Sequence, residues 1–438
     1  MIQVPDGWEI NNFKDLKIKL IDGDRGENYP KENEFSDNGF CVFLSAKNVT
    51  KDGFRFNEIQ FIEKDKDEKL RKGKLNKNDI VLTTRGTVGN IAYFDNTIKY
   101  NHIRINSGMI LLRNENKTLE TNYLHIFLKS NIFDNQISNT VFGSAQPQLT
   151  VKEIEKFFIC FPKEKKEQEK IAKILSTLDN AIESTNRIIE KEKNIKTALM
   201  QELLTNGIDK NGQIRTPQTH TYKQSELGLI PDEWEVDKIN EVTKLMTDFV
   251  ANGSFESLAN NVTVFESPDF AYYVRLVDIR KGLGHEKQTY VNEQSFNFLK
   301  KSSLTGREIL IANIGANVGE TFLMPILKKP ATIAPNMIVI KVNSKIIPEF
   351  LFYFLTFHKG ISELQNVTEG SGQPKINKTK LKTINIIIPL IKEQEKIIKI
   401  LNIQDKRIEM ENKTLAKLKE LKKGLMNDLL SGKVRVNV

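Results

Sequence analysis

Lys166-Glu167-Gln168-Glu169-Lys170-Ile171-Ala172-Lys173-Ile174-Leu175 returns 226 residues later as Lys392-Glu393-Gln394-Glu395-Lys396-Ile397-Ile398-Lys399-Ile400-Leu401, with one position in ten changed. Chance does not copy ten residues, so the chain contains itself twice. Upstream, Pro5-Asp6-Gly7-Trp8-Glu9 matches Pro231-Asp232-Glu233-Trp234-Glu235, which puts the two tryptophans of the chain at equivalent places. Gly143-Ser144-Ala145-Gln146-Pro147 matches Gly370-Ser371-Gly372-Gln373-Pro374 just ahead of the copied run. The middles have diverged far more than the ends. A duplicated frame around divergent cargo predicts one machine that reads two different things.

The copied run opens two stretches, Lys163 to about Thr205 and Ile391 to about Ser431, with no Pro and almost no Gly. Both are expected to be long helices. Residues seven apart form a seam: Leu175, Ile182, Ile189, Lys196, Leu203 in the first and Leu401, Ile408, Leu415, Lys422, Leu429 in the second. A strict heptad holds one face only in a supercoil, so the seam predicts a coiled coil. The companion rows, Ile171, Leu178, Thr185, Glu192, Leu199 and Ile397, Gln404, Glu411, Leu418, Leu425, carry polar breaks. A polar seam residue costs stability and specifies alignment, so Lys196 and Lys422 are expected to meet Glu411 or Glu192 across the pair. The alternative is that both lysines snorkel to solvent. Each helix of about 40 residues would be about 60 Å long, and antiparallel pairing would place the preceding domains at opposite ends. Asn206 to Leu229, rich in Gly, Thr, Gln and Asn, reads as a linker that allows the return.

Ahead of each helix the pattern is mixed α and β. Asp79–Thr83 and Glu308–Ala312 match as strands, followed by turns holding Gly86 and Gly89, and Gly315 and Gly319; Gly108–Leu112 matches Asn336–Ile340 as a further strand. Tyr123–Leu128 and Phe350–Leu355 read as buried helices rather than base-stacking platforms, because their apolar residues are contiguous.

At 438 residues the chain can bury two or three cores. Its 65 basic and 56 acidic residues leave a formal charge of +9, which suits a polyanionic partner or a lysine-rich solvated surface. Cys41 and Cys160 have no counterparts in the other copy and read as core residues. No signal-peptide pattern and no run of about 18 apolar residues is present, so the chain reads as soluble and cytoplasmic. Nucleotide-loop, His-Glu-x-x-His and Cys-x-x-Cys motifs are absent. Pro5-Asp6 followed by Asp15-Leu16-Lys17 satisfies a loose metal-nuclease pattern, but the second copy has Glu241, Val242 and Thr243 there. Keeping Pro-Asp while losing the lysine points to a structural role.

Taken in order and twice over, Pro-Asp-x-Trp-Glu, Gly-Ser-x-Gln-Pro, Glu-Gln-Glu-Lys-Ile and the helix ends Leu199–Leu204 and Leu425–Leu430 make the chain resemble the specificity subunit of a type I restriction-modification system. The resemblance implies an α+β chain: two homologous mixed α/β target recognition domains, each followed by a long helix, the helices pairing as an antiparallel coiled coil. The divisions are 1–162, 163–205, 206–230, 231–389 and 390–431. It further implies no catalysis and no cofactor on this chain. Double-stranded DNA, two modification (methyltransferase) subunits and restriction (translocase/endonuclease) subunits are the implied partners, which bring S-adenosylmethionine, ATP and Mg, and no membrane is involved. The expected DNA contacts are polar residues at strand ends and turns: Lys47, Asn48, Arg85, Arg104, Gln146 and Gln148 in the first domain, and Arg275, Asp278, Asn313, Asn336, Gln373 and Lys375 in the second. Gln146 and Gln373 could instead only close their domains. Two rivals remain, a coiled-coil scaffold that reads no DNA and a metal-dependent nuclease.

Overall fold

The computed structural model describes residues 4–141 and 148–438. It divides into two compact units, one of residues 1–187 and 412–438 and the other of residues 188–411. Each unit holds one recognition domain and one half of each long helix, so packing cuts the chain differently from the sequence repeat.

In the first unit, a four-stranded antiparallel sheet runs in the order Ile18–Asp22, Met109–Asn114, Ile80–Thr83, Ile91–Tyr93. A second sheet places Cys41–Leu44 between Gln60–Ile62 and, in parallel, Ile103–Ile105. Ile80–Thr83 is buried at every position. Alternate residues explain why its apolar run is unbroken: Ile80 and Leu82 pack toward the helices with Tyr123 and Phe127, while Val81 packs toward the other sheet with Val42 and Ile103. The second unit repeats the plan. Its sheet runs Thr243–Asp248, Met337–Val342, Ile309–Ala312, Thr321–Leu323, and its second sheet is widened to five strands by the edges Val264–Phe265 and Ser303–Leu304.

The first and last strands of each domain pair with each other, Trp8–Asn12 with Phe158–Pro162 and Glu235–Lys238 with Asn385–Ile388. The chain therefore leaves each domain where it entered, directly into a long helix, Lys165–Leu203 or Ile391–Leu430. Within the first unit Ile171 and Leu175 share a core with Met426, Leu429 and Leu430, and Asp179 meets Lys422. Within the second, Leu203 and Leu204 share a core with Ile397 and Leu401, while Gln404 Nε2 donates to the Glu192 carboxylate at 2.5 Å. As numbering rises on one helix it falls on its neighbour, so both pairings are antiparallel. Leu175, Ile189, Leu203, Leu401 and Leu429 are buried, and Ile182, Lys196, Ile408, Leu415 and Lys422 are half-buried.

The lysines cross the seam, but to other partners than expected. Lys196 Nζ lies 2.5 Å from Asp405, and Lys422 meets Asp179. Asp179 and Asp405 stand 226 residues apart, as the lysines do, so the two ion pairs are copies. Each aspartate sits four residues past a buried seam leucine, Leu175 or Leu401, one helical turn on. Glu192 instead accepts from Gln404.

The copied Glu-Gln-Glu run has a structural explanation. Gln168 accepts from Glu120 N and donates to the carbonyls of Thr118 and Pro162; Gln394 accepts from Ile347 N and donates to those of Lys345 and Pro389. Each glutamine ties its helix to the preceding domain. The glutamate before it takes an arginine from beyond the end of the other helix: Arg435 on Glu167 at 2.6 and 2.7 Å, Arg215 on Glu393 at 2.5 and 3.0 Å. Gly207 and Gly432, at φ +65° and +70°, let these returning segments pass against Trp234 and Trp8, where a Cβ would collide. Part of 206–230 is accordingly packed: Ile208, Arg215 and Ile230 are buried, and Tyr222–Ser225 pairs with Gly228–Pro231.

Candidate nucleic-acid interface

In each domain three chain segments meet at one edge. Leu149 N donates to Thr84 O, Thr84 N donates to Gly108 O, and Arg85 bridges Gln148. The second domain repeats this with Ile376 N to Asn313 O, Asn313 N to Asn336 O, and Ile314 bridging Lys375. The backbone knot is the same and the exposed side chains differ: Arg85 and Gln148 in one, Ile314, Asn336 and Lys375 in the other, while Gln373 is exposed beside the second knot. Gly86 and Gly315, at φ +71° and +90°, turn the chain beside each knot, and a Cβ on either would meet nothing within 4 Å. Their requirement is conformational. Asn336 holds a positive φ of +72° without being glycine, a conformation that asparagine tolerates better than most residues. Asn313 is half-buried, and its Oδ1 has no hydrogen-bond partner among the described residues.

Other expected contacts are committed to the interior. Asn48 is buried; its Oδ1 accepts from Ser45 N, and its amide donates to the carbonyls of Arg55 and Glu58. Arg104 is buried on Asp67, with Nε at 2.5 Å, and also donates to the carbonyls of Lys72, Asp67 and Leu70. Burial opposes ionisation of Asp67, but hydrogen bonds from Lys74 and Arg104 hold its carboxyl below the usual range. Asp278 stands where the first domain has Asn48 and is fully buried. Burial again opposes its ionisation, and Arg275 and His285 overcome it and lower its pKa. Arg275 spends its guanidinium on Asp278 and the Lys287 carbonyl. With their polar atoms so engaged, Asn48, Arg104 and Asp278 are internal supports of the loops rather than free readers. Lys47 is exposed and paired with Glu58 at 2.7 Å. Gln146 lies outside the described residues.

Ile314, an exposed apolar residue, takes the place in the second knot that Arg85 holds in the first. Aligning the two copies on their strands would have placed it opposite Arg85. Burial pushes the thiols of Cys41 and Cys160 up to about 12 and about 11, as expected of core residues. Asn12 closes a tight turn by accepting from Asp15 N and donating to the Asp15 carboxylate, and Lys17 follows at φ +56°. A cleft of about 1450 Å³ in the first unit is lined by acids and bases together, among them Lys51, Lys129, Asp134, Asp179 and Lys422. Mixed charge does not suit a phosphate track. Burial pulls His125 there down to about 4, so it is neutral at pH 7. No helix among the described residues is long and apolar enough to cross a membrane.

Comparison with known proteins matches residues 5–193 and 231–420 to the type I restriction modification DNA specificity domain. The chain is 28% identical over 441 residues to the type I restriction enzyme MjaVIII specificity subunit of Methanocaldococcus jannaschii, covering 99% of this chain and 95% of that protein. It is 23% identical to the StySPI specificity subunit of Salmonella potsdam, covering 91% and 82%. Its fold matches the crystal structure of the type I system S subunit from M. genitalium with a TM-score of 0.58 at 16% identity, over 98% and 96% of the two chains.

Proposed function

The chain belongs to the type I restriction-modification DNA specificity family, is a non-catalytic DNA-recognition subunit, and on that premise we propose that its two domains read the two unlike halves of a split DNA target. The observation that carries this reading is the repeated knot: one backbone arrangement presents Arg85 and Gln148 in the first domain but Ile314, Asn336 and Lys375 in the second. Equal backbones position alike on phosphates, and unlike side chains specify unlike bases. A homodimer of one domain would read a symmetric site.

The paired helices act as the spacer between the half-sites and as the docking surface for two modification subunits and for restriction subunits. S-adenosylmethionine, ATP and Mg come with those partners, and the assembly works on DNA in the cytoplasm. About one turn of DNA, 34 to 36 Å, is the natural unit for such a spacing. The test is a single-molecule map of adenine methylation in the source genome with and without this gene. Loss of methylation at one split, asymmetric motif is the expected result. A lost motif with two identical halves would overturn the two-reader model.

A further inference from the structure

The two ion pairs across the helices do not distinguish the helices from each other. Asp179–Lys422 and Asp405–Lys196 are copies, so a pair made of two first helices from two chains would restore Asp179–Lys196 contacts in the same register. Pairing like with like would be equally easy if the rest of the seam were also duplicated. It is not. Gln404 is buried and donates to both the backbone carbonyl and the carboxylate of Glu192, at 2.9 and 2.5 Å. The positions 226 residues from Gln404 and Glu192 are Leu178 and Leu418, both half-buried. One crossing is therefore polar on both helices, and its copy is apolar on both.

We propose that Glu192 and Gln404 are a polarity key that makes the two long helices choose each other and reject like helices of a second copy. In an antiparallel pair of two first helices, Leu178 would take the place of Gln404, twice, leaving each Glu192 against a leucine. Two second helices would set each Gln404 against Leu418. A half-buried carboxylate facing a leucine, and a buried amide left with only a backbone carbonyl to donate to, are disfavoured, while the native pairing satisfies both. The key tells unlike from like helices, and so keeps two different recognition domains on one rod. It does not depend on DNA reading, and its test needs no DNA.

Thr185 lies midway between Leu178 and Glu192 and would face Thr185 of the second copy in a like-helix pair. Thr185→Cys in the full chain therefore reports that pairing as a disulfide-linked dimer. The chain is unfolded, refolded under reducing conditions and then oxidised, when Cys41 and Cys160 are buried; the chain without Thr185→Cys serves as the blank. Glu192→Leu with Gln404→Leu erases the key by making all four positions leucine. Leu178→Gln with Leu418→Glu erases it the opposite way, by making both crossings polar. Each is expected to raise the dimer fraction at least tenfold over Thr185→Cys alone, whereas exchanging the key by Glu192→Gln with Gln404→Glu leaves it low. Two erasing routes of opposite polarity guard against a variant that misfolds. Dimer fractions equal to that of the intact key in whichever erased variant elutes as folded protein would overturn the proposal.

Discussion

The two clasps that close the units use the same residue types and differ in burial. In the second unit Arg215 is 5% exposed, and Glu393 also accepts from Ile208 N and Trp234 Nε1. In the first, Arg435 is 46% exposed, Glu167 takes the arginine, and the buried Trp8 Nε1 finds no hydrogen-bond partner among the described residues. A copied motif does not carry a copied energy. Both carboxylates are buried, so the surroundings of the arginine decide the difference: a desolvated guanidinium is costly to strand, and one that reaches solvent is screened.

The largest expected effect tests that contrast directly. Glu393→Ala strands a buried guanidinium and should cost the second unit about 3–5 kcal/mol, whereas Glu167→Ala should cost the first unit about 1 kcal/mol. Denaturant titration followed by fluorescence separates the two, because Trp8→Phe leaves Trp234 as reporter and Trp234→Phe leaves Trp8. Equal losses would mean that burial does not set the difference.

Gln168→Ala and Gln394→Ala each remove three hydrogen bonds of the same geometry and should each cost about 3 kcal/mol, at about 1 kcal/mol per bond. Measured with the same reporters, a match here alongside a mismatch at the glutamates would locate the asymmetry in the clasp alone.

At the reading edges, Arg85→Ala should relax one position of one half-site by about 1–3 kcal/mol and leave the other half unchanged. Lys375→Ala, if its ammonium meets a phosphate, should weaken binding on all sequences and reduce the salt slope by about one unit. Binding of the complex with modification subunits to variant duplexes at several salt concentrations separates these outcomes.

The smallest effect concerns Asn48 and Asp278, which occupy equivalent places. The lowered pKa of Asp278 adds stability above the ordinary carboxylate value of about 3.9. That contribution is lost as pH falls through the depressed folded value, and Asn48 has no such titration. Asp278→Asn should therefore flatten the acid limb of the second unit's stability between about pH 5 and pH 2, read by denaturation with Trp234 as reporter. An unchanged limb would assign acid sensitivity to other carboxylates.

Much of the frame is legible in the sequence. Ile80–Thr83 and Ile309–Ala312 are unbroken apolar runs because both their faces are covered, and the heptads of Leu175 and Leu401 announce their own pairing. The arginines of the clasps were not legible. Arg215 follows its helix end by twelve residues and Arg435 by five, so no shared spacing marks them. Nothing local in the sequence marks Arg104 as an interior residue, because the carboxylate that holds it, Asp67, is 37 residues away. The place of Ile314 in the knot follows from strand register and not from its own chemistry.

Duplication, the two long helices, two central strands of each domain and the family were determined by the sequence itself, since repetition and periodicity are local and survive without a fold. Which aspartate each lysine meets, which polar residues are spent inside, and how deeply each clasp is buried were decided only by tertiary structure. These depend on register and solvent exclusion between segments far apart in the chain, and no local pattern encodes the distance between them.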